Sequence, residues 1–258
     1  MKFVNMSKEE FMEQKLLYKY MPLEQALMTL DGCYLWFANP TTWKDPFEKR
    51  FIDAKYMDGN HERNFLWKNR IFCICMTQTM VSEAAWQVYA QGKIGVQFRI
   101  YRDALLKELK AMEKDYNVYI GKAEYMKTDD IRRDLSKVPF NPPQTTGVNT
   151  YNYAARLLML KRVAFQYEDE VRILLVSKDT KNTGYRKGVK MAYQCENTDL
   201  ILRIVLDPNL EKMTYEMIKE RLEDKYKFVS YNKPDDTKFN RVIQSAIYKD
   251  KDNLVIRF

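Results

Sequence analysis

The apolar residues of this chain are broken into short runs, which limits the folds that it can adopt. The longest strong run, Ile173-Leu174-Leu175-Val176, has the length of a β-strand, whereas a helix that crosses a bilayer needs roughly 20 apolar residues. Residues 1–10 become charged before the apolar core of a signal peptide could form. We therefore expect a folded, cytoplasmic protein with no membrane partner.

Helix-like and strand-like patterns alternate without the strict order of a doubly wound parallel sheet. Ser7-Lys8-Glu9-Glu10 matches a capping box, and residues 23–30 carry apolar side chains at helical spacing between Pro22 and Gly32. No Gly-x-Gly-x-x-Gly loop for a dinucleotide occurs in the chain. The pattern predicts an α+β fold in which residues 1–258 form a single domain, with a central mixed or split β-sheet flanked by helices.

Residues 127–148 interrupt this pattern. They contain Lys137-Val138-Pro139-Phe140-Asn141-Pro142-Pro143, and proline removes a backbone donor and fixes a backbone angle. We predict a long surface loop or insertion over this stretch.

Cysteine and histidine usage argues against a metal centre. Cys73 and Cys75 share one face of a predicted strand, and no second ligand pair follows them at zinc-like spacing. The single histidine, His61, would have to support a zinc site or a serine-histidine triad alone. We expect the two cysteines to pack in the core.

Positive charge is concentrated in the second half of the chain, which has a net charge of +8 overall. Residues 156–190 carry nine basic and four acidic side chains, a local charge of +5. Such a stretch would attract the phosphates of a nucleotide or of nucleic acid. A solvated basic surface explains the same pattern.

Paired carboxylates lie in the segment Tyr167–Arg172. Read as an extended strand, the segment places Glu168 and Glu170 on one face, about 7 Å apart. When the nicotinamide–ribose bond of NAD breaks, positive charge develops on the sugar, and a carboxylate can stabilise that charge in the transition state. Glu170 would take this role while Glu168 orients the nucleophile. Alternatively, the glutamates pair with Arg172 or Arg162 at the end of a strand.

Two further segments could bind the rest of such a substrate. Trp86 and Tyr89 share one side of a predicted helix, where Tyr89 could stack on nicotinamide or another base. Lys19 lies between Tyr18 and Tyr20 on a short strand and could hold a ribose or a phosphate. Core packing of the aromatics and a solvent-facing lysine are the simpler alternatives.

Taken in order, these motifs resemble the bacterial domain-of-unknown-function family 2971. The resemblance runs through residues 16–206 and rests on Leu17-Tyr18-Lys19-Tyr20, Leu35-Trp36-Phe37-Ala38-Asn39-Pro40, Asp45-Pro46-Phe47-Glu48, Trp86-x-x-Tyr89, Gly95-Val96-x-Phe98 and Tyr167-Glu168-x-Glu170-x-Arg172. The family as a whole is uncharacterised, so the resemblance does not supply an activity.

The same order of motifs is similar to the three-part signature of ADP-ribosyltransferases, with Glu168-Asp169-Glu170 in place of their Glu-x-Glu pattern and Lys19 in place of histidine or arginine. This second resemblance implies an ADP-ribosyltransferase-like fold and NAD as the substrate. It implies catalytic roles for Glu168 and Glu170 and binding roles for Lys19, Tyr20, Trp86 and Tyr89. The expected acceptor is nucleic acid or protein, and the expected context is a bacterial toxin or antiviral-defence effector with an antitoxin or other regulator.

Two other functions fit the same residues. Asp45, Glu48, Glu168 and Glu170 could form the carboxylate site of a metal-dependent nuclease. The basic stretch could instead belong to a non-catalytic module that binds nucleic acid or a partner protein.

Overall fold

A computed structural model describes residues 1–53, 55–58, 60–64, 66–90, 92–137, 154–179, 181, 184–194, 200–232 and 238–248. Its helices are α1 (Lys8–Glu13), α2 (Leu23–Gly32), α3 (Pro46–Ile52), α4 (Glu83–Ala90), α5 (Arg102–Met112), α6 (Thr128–Lys137) and α7 (Lys212–Tyr226). Its strands are β1 (Lys2–Val4), β2 (Leu16–Pro22), β3 (Tyr34–Ala38), β4 (Lys55–Asp58), β5 (His61–Asn64), β6 (Ile71–Thr77), β7 (Gly95–Tyr101), β8 (Tyr116–Lys122), β9 (Glu124–Met126), β10 (Leu160–Arg162), β11 (Glu170–Ser177), β12 (Gly188–Ala192), β13 (Ile201–Leu206), β14 (Tyr231–Asn232), β15 (Lys238–Phe239) and β16 (Val242–Gln244). Short 3₁₀ helices occupy Pro40–Thr42, Leu66–Asn69 and Val163–Glu168.

Ten of the described strands form one mixed sheet. Its main path is β1-β8-β11-β6-β2-β7-β13-β16, and β3 joins β6 at Ala38 and Cys73 and pairs with β12 on its other side. The outer pairs β1–β8 and β13–β16 are parallel, whereas the inner pairs are antiparallel. The predicted mixed α+β class with flanking helices is confirmed.

Strand β11 lies inside the sheet and is buried on both faces. Ile173 and Leu175 belong to one apolar cluster, whereas Leu174 and Val176 belong to a second cluster around Tyr119. Because strand side chains alternate between faces, the single run 173–176 supplies both clusters. Burial on both faces explains why this run is continuously apolar.

The sheet opens between β2 and β6. Strand β2 pairs with β7 along its whole length, but it meets β6 only at Tyr18 and Thr77. Strand β6 in turn pairs with β11 along its whole length. The sheet is therefore split near its middle, and the two halves diverge from this one junction.

Local capping signals explain the first two helices. The Ser7 side chain accepts a hydrogen bond of 3.0 Å from the backbone N–H of Glu10, which confirms the predicted helix start. Helix α2 follows Pro22 as expected, but Gly32 is its last residue and Cys33 takes the left-handed conformation, with φ 47°. Gly32 lies against the Tyr34 ring, where a Cβ atom would overlap. Cys33 is disulfide-bonded.

The structure differs from the predicted loop over residues 127–148. Thr128–Lys137 forms helix α6, which buries Ile131 and has Asp129 and Asp130 in its first turn. Acidic side chains are favourable at a helix N-terminus. The prolines that suggested a loop all follow this helix, and the remainder of the predicted loop, 138–148, lies outside the described residues.

The acidic segment is not extended as predicted. Val163–Glu168 is a 3₁₀ helix, Asp169 has φ 40°, and β11 begins only at Glu170. The backbone therefore turns between the two glutamates, so strand alternation does not explain their positions.

Candidate active site

A cavity of about 900 Å³ lies where β2 and β6 diverge. Its walls come from both halves of the sheet and from α4. Pockets that bind small molecules typically have about 300–1,000 Å³. The wall residues that bear on its chemistry are Lys19, Trp36, Trp43, Tyr89, Lys161, Glu168, Glu170 and Arg172.

A buried lysine joins the two glutamates of the acidic segment. The Nζ atom of Lys161 lies 2.6 Å from Oε2 of Glu168 and 2.8 Å from Oε2 of Glu170. Glu168 also accepts a hydrogen bond of 2.6 Å from the hydroxyl of Tyr89. The turn at Asp169 and the shared lysine thus bring the glutamates together in place of the predicted strand geometry.

Arg172 joins this cluster and shares the carboxylates of Glu48 and Glu170 with Lys161. Its Nη2 atom lies 2.9 Å from Oε2 of Glu170 and also pairs with Glu48. The guanidinium carbon is 4.7 Å from the centre of the Trp43 ring. Arg172 is only 1% exposed and Glu170 only 3% exposed, so these ion pairs are largely withdrawn from water.

The cluster fixes Glu170 in its charged form. Burial acts to raise the pKa of Glu170, but the charges of Arg172 and Lys161 outweigh it and lower that pKa to about 2. Burial likewise acts to lower the pKa of Lys161, but the charge of Glu170 raises it. The pKa of Tyr89 is raised by burial and by the charges of Glu170 and Glu168. Tyr89 is thus a hydrogen-bond donor at neutral pH.

The predicted site residues fall into two groups. Lys19, Tyr89, Glu168 and Glu170 line the cavity. The side-chain ammonium of Lys19 makes no ion pair or hydrogen bond with the part of the chain that the structure describes. This cation is therefore available to an anionic ligand.

Tyr20 and Trp86 lie outside the wall of this cavity. Their rings meet edge to face with centres 5.0 Å apart, and both side chains are buried. The Tyr20 hydroxyl accepts a hydrogen bond of 2.6 Å from Gln97. Trp86 therefore packs in the core, whereas Tyr20 also lines a smaller pocket with Lys19, Tyr89, Glu168 and Glu170.

Lys161 was not identified from the sequence. It stands on β10, which pairs in parallel with β9, and the hydroxyl of Tyr125 on β9 accepts a hydrogen bond of 2.9 Å from the backbone N–H of Glu170. The basic stretch 156–190 therefore does not lie wholly on the surface, because Lys161 and Arg172 are buried against carboxylates. The available signal was a lysine directly after the apolar run Leu157–Leu160.

The carboxylates of the proposed nuclease are engaged with cations. Asp45 caps α3 by accepting a hydrogen bond of 2.8 Å from Phe47, and it lies 3.0 Å from Nη2 of Arg162. Glu48 pairs with Arg172. Among the described residues, no group of three or more His, Cys, Asp or Glu side chains is placed to hold a metal ion.

Cys73 and Cys75 are free, and their Sγ atoms are 3.8 Å apart. Cys73 is buried in the apolar cluster around Tyr119, and Cys75 packs against that cluster. The expected core packing is confirmed for Cys73, whereas Cys75 is partly buried, and both line the large cavity.

In the described ranges, no helix has the length and apolar content needed to span a membrane. No protein-family model, curated protein or solved structure matches the chain. The resemblances to family 2971 and to the ADP-ribosyltransferases therefore remain predictions from sequence motifs.

Proposed function

We propose that this protein cleaves the nicotinamide–ribose bond of NAD and transfers the ADP-ribose to an acceptor, on a fold of the ADP-ribosyltransferase type. The observation that carries the proposal is the convergence of Lys19, Tyr89, Glu168 and Glu170 on one cavity. These residues come from three distant segments of the chain. The cavity volume of about 900 Å³ is sufficient for a dinucleotide.

The wall as a whole has five cationic and four acidic side chains, but the buried ion cluster within it suits a reaction that builds positive charge on a sugar. Glu48, Glu168 and Glu170 face Lys161 and Arg172, so three formal negative charges meet two positive ones. The cluster retains a formal charge of −1. Groups held in place before the reaction stabilise developing charge without a cost of reorganisation, and Lys161 and Arg172 hold Glu170 in place in this way.

The proposed step is a substitution at the anomeric carbon of the nicotinamide ribose. The carbon–nitrogen bond breaks and its electron pair leaves with nicotinamide. A lone pair of the acceptor forms the new bond to the same carbon, and the proton of the acceptor passes to water. Glu170 would accept a hydrogen bond from a ribose hydroxyl, and Glu168 would orient the acceptor.

The other wall residues supply recognition. Tyr89 presents an aromatic ring beside the carboxylates, and Trp36 and Trp43 add apolar surface for a base. Lys19 would pair with a phosphate or hold a ribose, since its ammonium has no protein partner among the described residues. The exposed cations Lys178, Lys181, Lys187 and Lys190 favour nucleic acid over protein as the acceptor.

The test supplies NAD labelled in its adenylate half together with RNA, DNA and cell protein, and measures both nicotinamide release and label transfer. Glu170→Gln should abolish both signals, and Lys19→Met should reduce kcat/KM at least about tenfold. The matched controls are Glu220→Gln on α7 and Lys107→Met on α5, which make the same changes at exposed positions. Lys19→Met is the sharper variant, because it breaks no ion pair of the described structure.

Absence of nicotinamide release and of label transfer with every acceptor would overturn the proposal. Cleavage of nucleic acid that needs magnesium and not NAD would identify the nuclease instead. Binding of nucleic acid that survives substitution of both glutamates would identify a non-catalytic module.

A further inference from the structure

Two arginines stand directly opposite each other on neighbouring strands. Arg99 on β7 and Arg203 on β13 are register partners, and both are half-buried. Opposed side chains in an antiparallel pair have Cβ atoms about 4.5–5.5 Å apart, and like charges in that position are destabilising. An anion bound by both guanidinium groups would relieve this repulsion.

A β-bulge puts Arg203 in this position. The register runs from Ile201 opposite Ile100 to Arg203 opposite Arg99, so Leu202 is an extra residue. Without the bulge, Leu202 would oppose Arg99 and Arg203 would share the core face with Phe98. Bulges commonly redirect a side chain next to a functional site.

The bulge is itself held by a third arginine. Arg241 donates hydrogen bonds to the backbone carbonyls of Ile201 at 2.7 Å and Leu202 at 3.3 Å. Arg241 is buried, and its guanidinium lies over the ring of Phe228. The position of Arg203 is therefore fixed by the backbone of the bulge.

Neither arginine of the pair has an acidic partner within the described ranges. Arg99 donates only from Nε, to Gln97 Oε1 at 3.3 Å. The guanidinium of Arg203 lies 4.1 Å from the centre of the Phe239 ring, and its Nε is buried without a hydrogen-bond partner. Among the described residues, the terminal guanidinium nitrogens of Arg99 and Arg203 are therefore available to a ligand.

Burial lowers the pKa of both guanidinium groups, and for Arg203 the charge of Arg99 lowers it further. The direction of these shifts agrees with the geometry, because both reflect positive charge that is partly withdrawn from water and not neutralised. The free energy cost of this charge would be recovered when an anion binds.

We propose that Arg99 and Arg203 together bind a phosphate group. Guanidinium forks match the oxygen geometry of a phosphate, and two adjacent forks can share one dianion. Arg99 also opposes Tyr18, and neither residue lies in the wall of the large cavity. Arg99 and Arg203 are not among the residues that carry the proposed function, so either proposal can fail without the other, but Tyr18 also lines a smaller pocket with Lys19 and Glu168.

The first experiment measures the melting temperature of the full chain in sodium phosphate and in sodium chloride at matched ionic strength. Phosphate at roughly ten times its Kd should raise the melting temperature by about 3 °C. Arg99→Met and Arg203→Met should lose this rise, and in chloride each should melt no lower than the original chain because the repulsion is gone. Lys107→Met makes the same charge change at an exposed position and should keep the rise.

Arg203→Lys is a conservative variant that tests the site even if the methionine variants do not fold. It keeps the positive charge but has no fork, so it should bind phosphate about tenfold more weakly or worse. A melting temperature that phosphate does not raise, or raises equally in the two methionine variants, overturns the proposal.

The second experiment identifies the source of the phosphate. A fluorescent single-stranded oligonucleotide is titrated against the full chain in chloride, and inorganic phosphate is then used as a competitor. Binding that weakens at least about tenfold in Arg203→Met but not in Lys107→Met assigns the site to a nucleic-acid strand. Equal oligonucleotide binding in both variants, with the phosphate effect still lost in Arg203→Met, assigns it to a free phosphate or a small nucleotide.

Discussion

The hydroxyl of Tyr89 donates a hydrogen bond of 2.6 Å to Glu168, which lies 79 positions later in the sequence. This bond connects α4 to the 3₁₀ turn that precedes β11, across the opening between the two halves of the sheet. Glu168 is thereby held from two sides, by Tyr89 and by Lys161. The cavity and the ion cluster are one structural unit.

Tyr89→Phe should lower the free energy of unfolding by about 1–3 kcal/mol, because it removes a hydrogen bond to a buried charged group while keeping the ring. Urea unfolding at pH 7 measures the change. The control Tyr185→Phe removes a hydroxyl from an exposed tyrosine that contacts Thr41, and it should change the free energy by less than about 0.5 kcal/mol. Equal effects of the two substitutions on the free energy of unfolding would show that the bond from Tyr89 to Glu168 does not stabilise the fold.

Lys161→Met should destabilise the protein by about 3–5 kcal/mol, because Glu168 and Glu170 would lose the cation that they share. Addition of Glu168→Gln to this variant should restore part of the loss, since one uncompensated carboxylate is then removed. Chemical denaturation of both variants and of the Lys107→Met control tests this. An unchanged stability of Lys161→Met would show that the ion pairs contribute nothing net.

Stability should fall on acidification as Glu170 titrates. The pKa of this carboxyl is lowered from its ordinary value of 4.5 to about 2 in the folded protein. Its contribution is therefore fully present above about pH 5 and is lost as the pH falls through 4.5 toward 2. At about 1.4 kcal/mol per pKa unit, the loss attributable to this group is about 3 kcal/mol.

Unfolding curves between pH 2.5 and pH 6 measure this dependence. Glu170→Gln should be less stable at neutral pH and should lose less stability across the acid range, whereas Glu220→Gln should follow the original chain. An equal loss of stability in all three proteins would show that the titration of Glu170 does not cause it.

Gly188→Ala should disrupt the pairing of β3 with β12. A Cβ atom there would overlap the ring of Trp36 and would lie 2.5 Å from the backbone oxygen of Phe37. We expect a lower melting temperature and altered tryptophan fluorescence, because Trp36 must move. In a Trp36→Ala background the loss of stability should become smaller but should persist, since the Phe37 carbonyl remains. Full tolerance of Gly188→Ala would contradict the described pairing.

The sequence predicted those parts of the fold that depend on local chemistry. The helix start at Ser7 and the strand over the apolar run 173–176 each depend on neighbouring residues, and both predictions are confirmed. The helix Thr128–Lys137 was missed because proline-rich composition downstream was extended too far upstream. A proline predicts irregular structure only within a few residues of its own position.

The site was harder to predict because it depends on contacts between distant segments. The proximity of Glu168 and Glu170 was expected, but the geometry was wrong, since a turn at Asp169 and a shared Lys161 produce it. The apolar run before Lys161 indicates a buried segment, but no local pattern identifies the carboxylates that this lysine contacts. The opening of the sheet, which determines that Tyr89 lines the cavity while Trp86 does not, is likewise a property of strand pairing.

Because β2 and β6 pair at a single position, the two walls of the cavity are held in place by different numbers of strand pairings. Glu170 and Arg172 belong to a strand that is clamped by neighbours on both edges and packed above and below. Lys19 belongs to a strand that is tied to this half of the sheet through Tyr18 and Thr77. A bulky ligand should therefore gain room more readily by shifting β2 than by shifting β11, and Glu170 should stay in place.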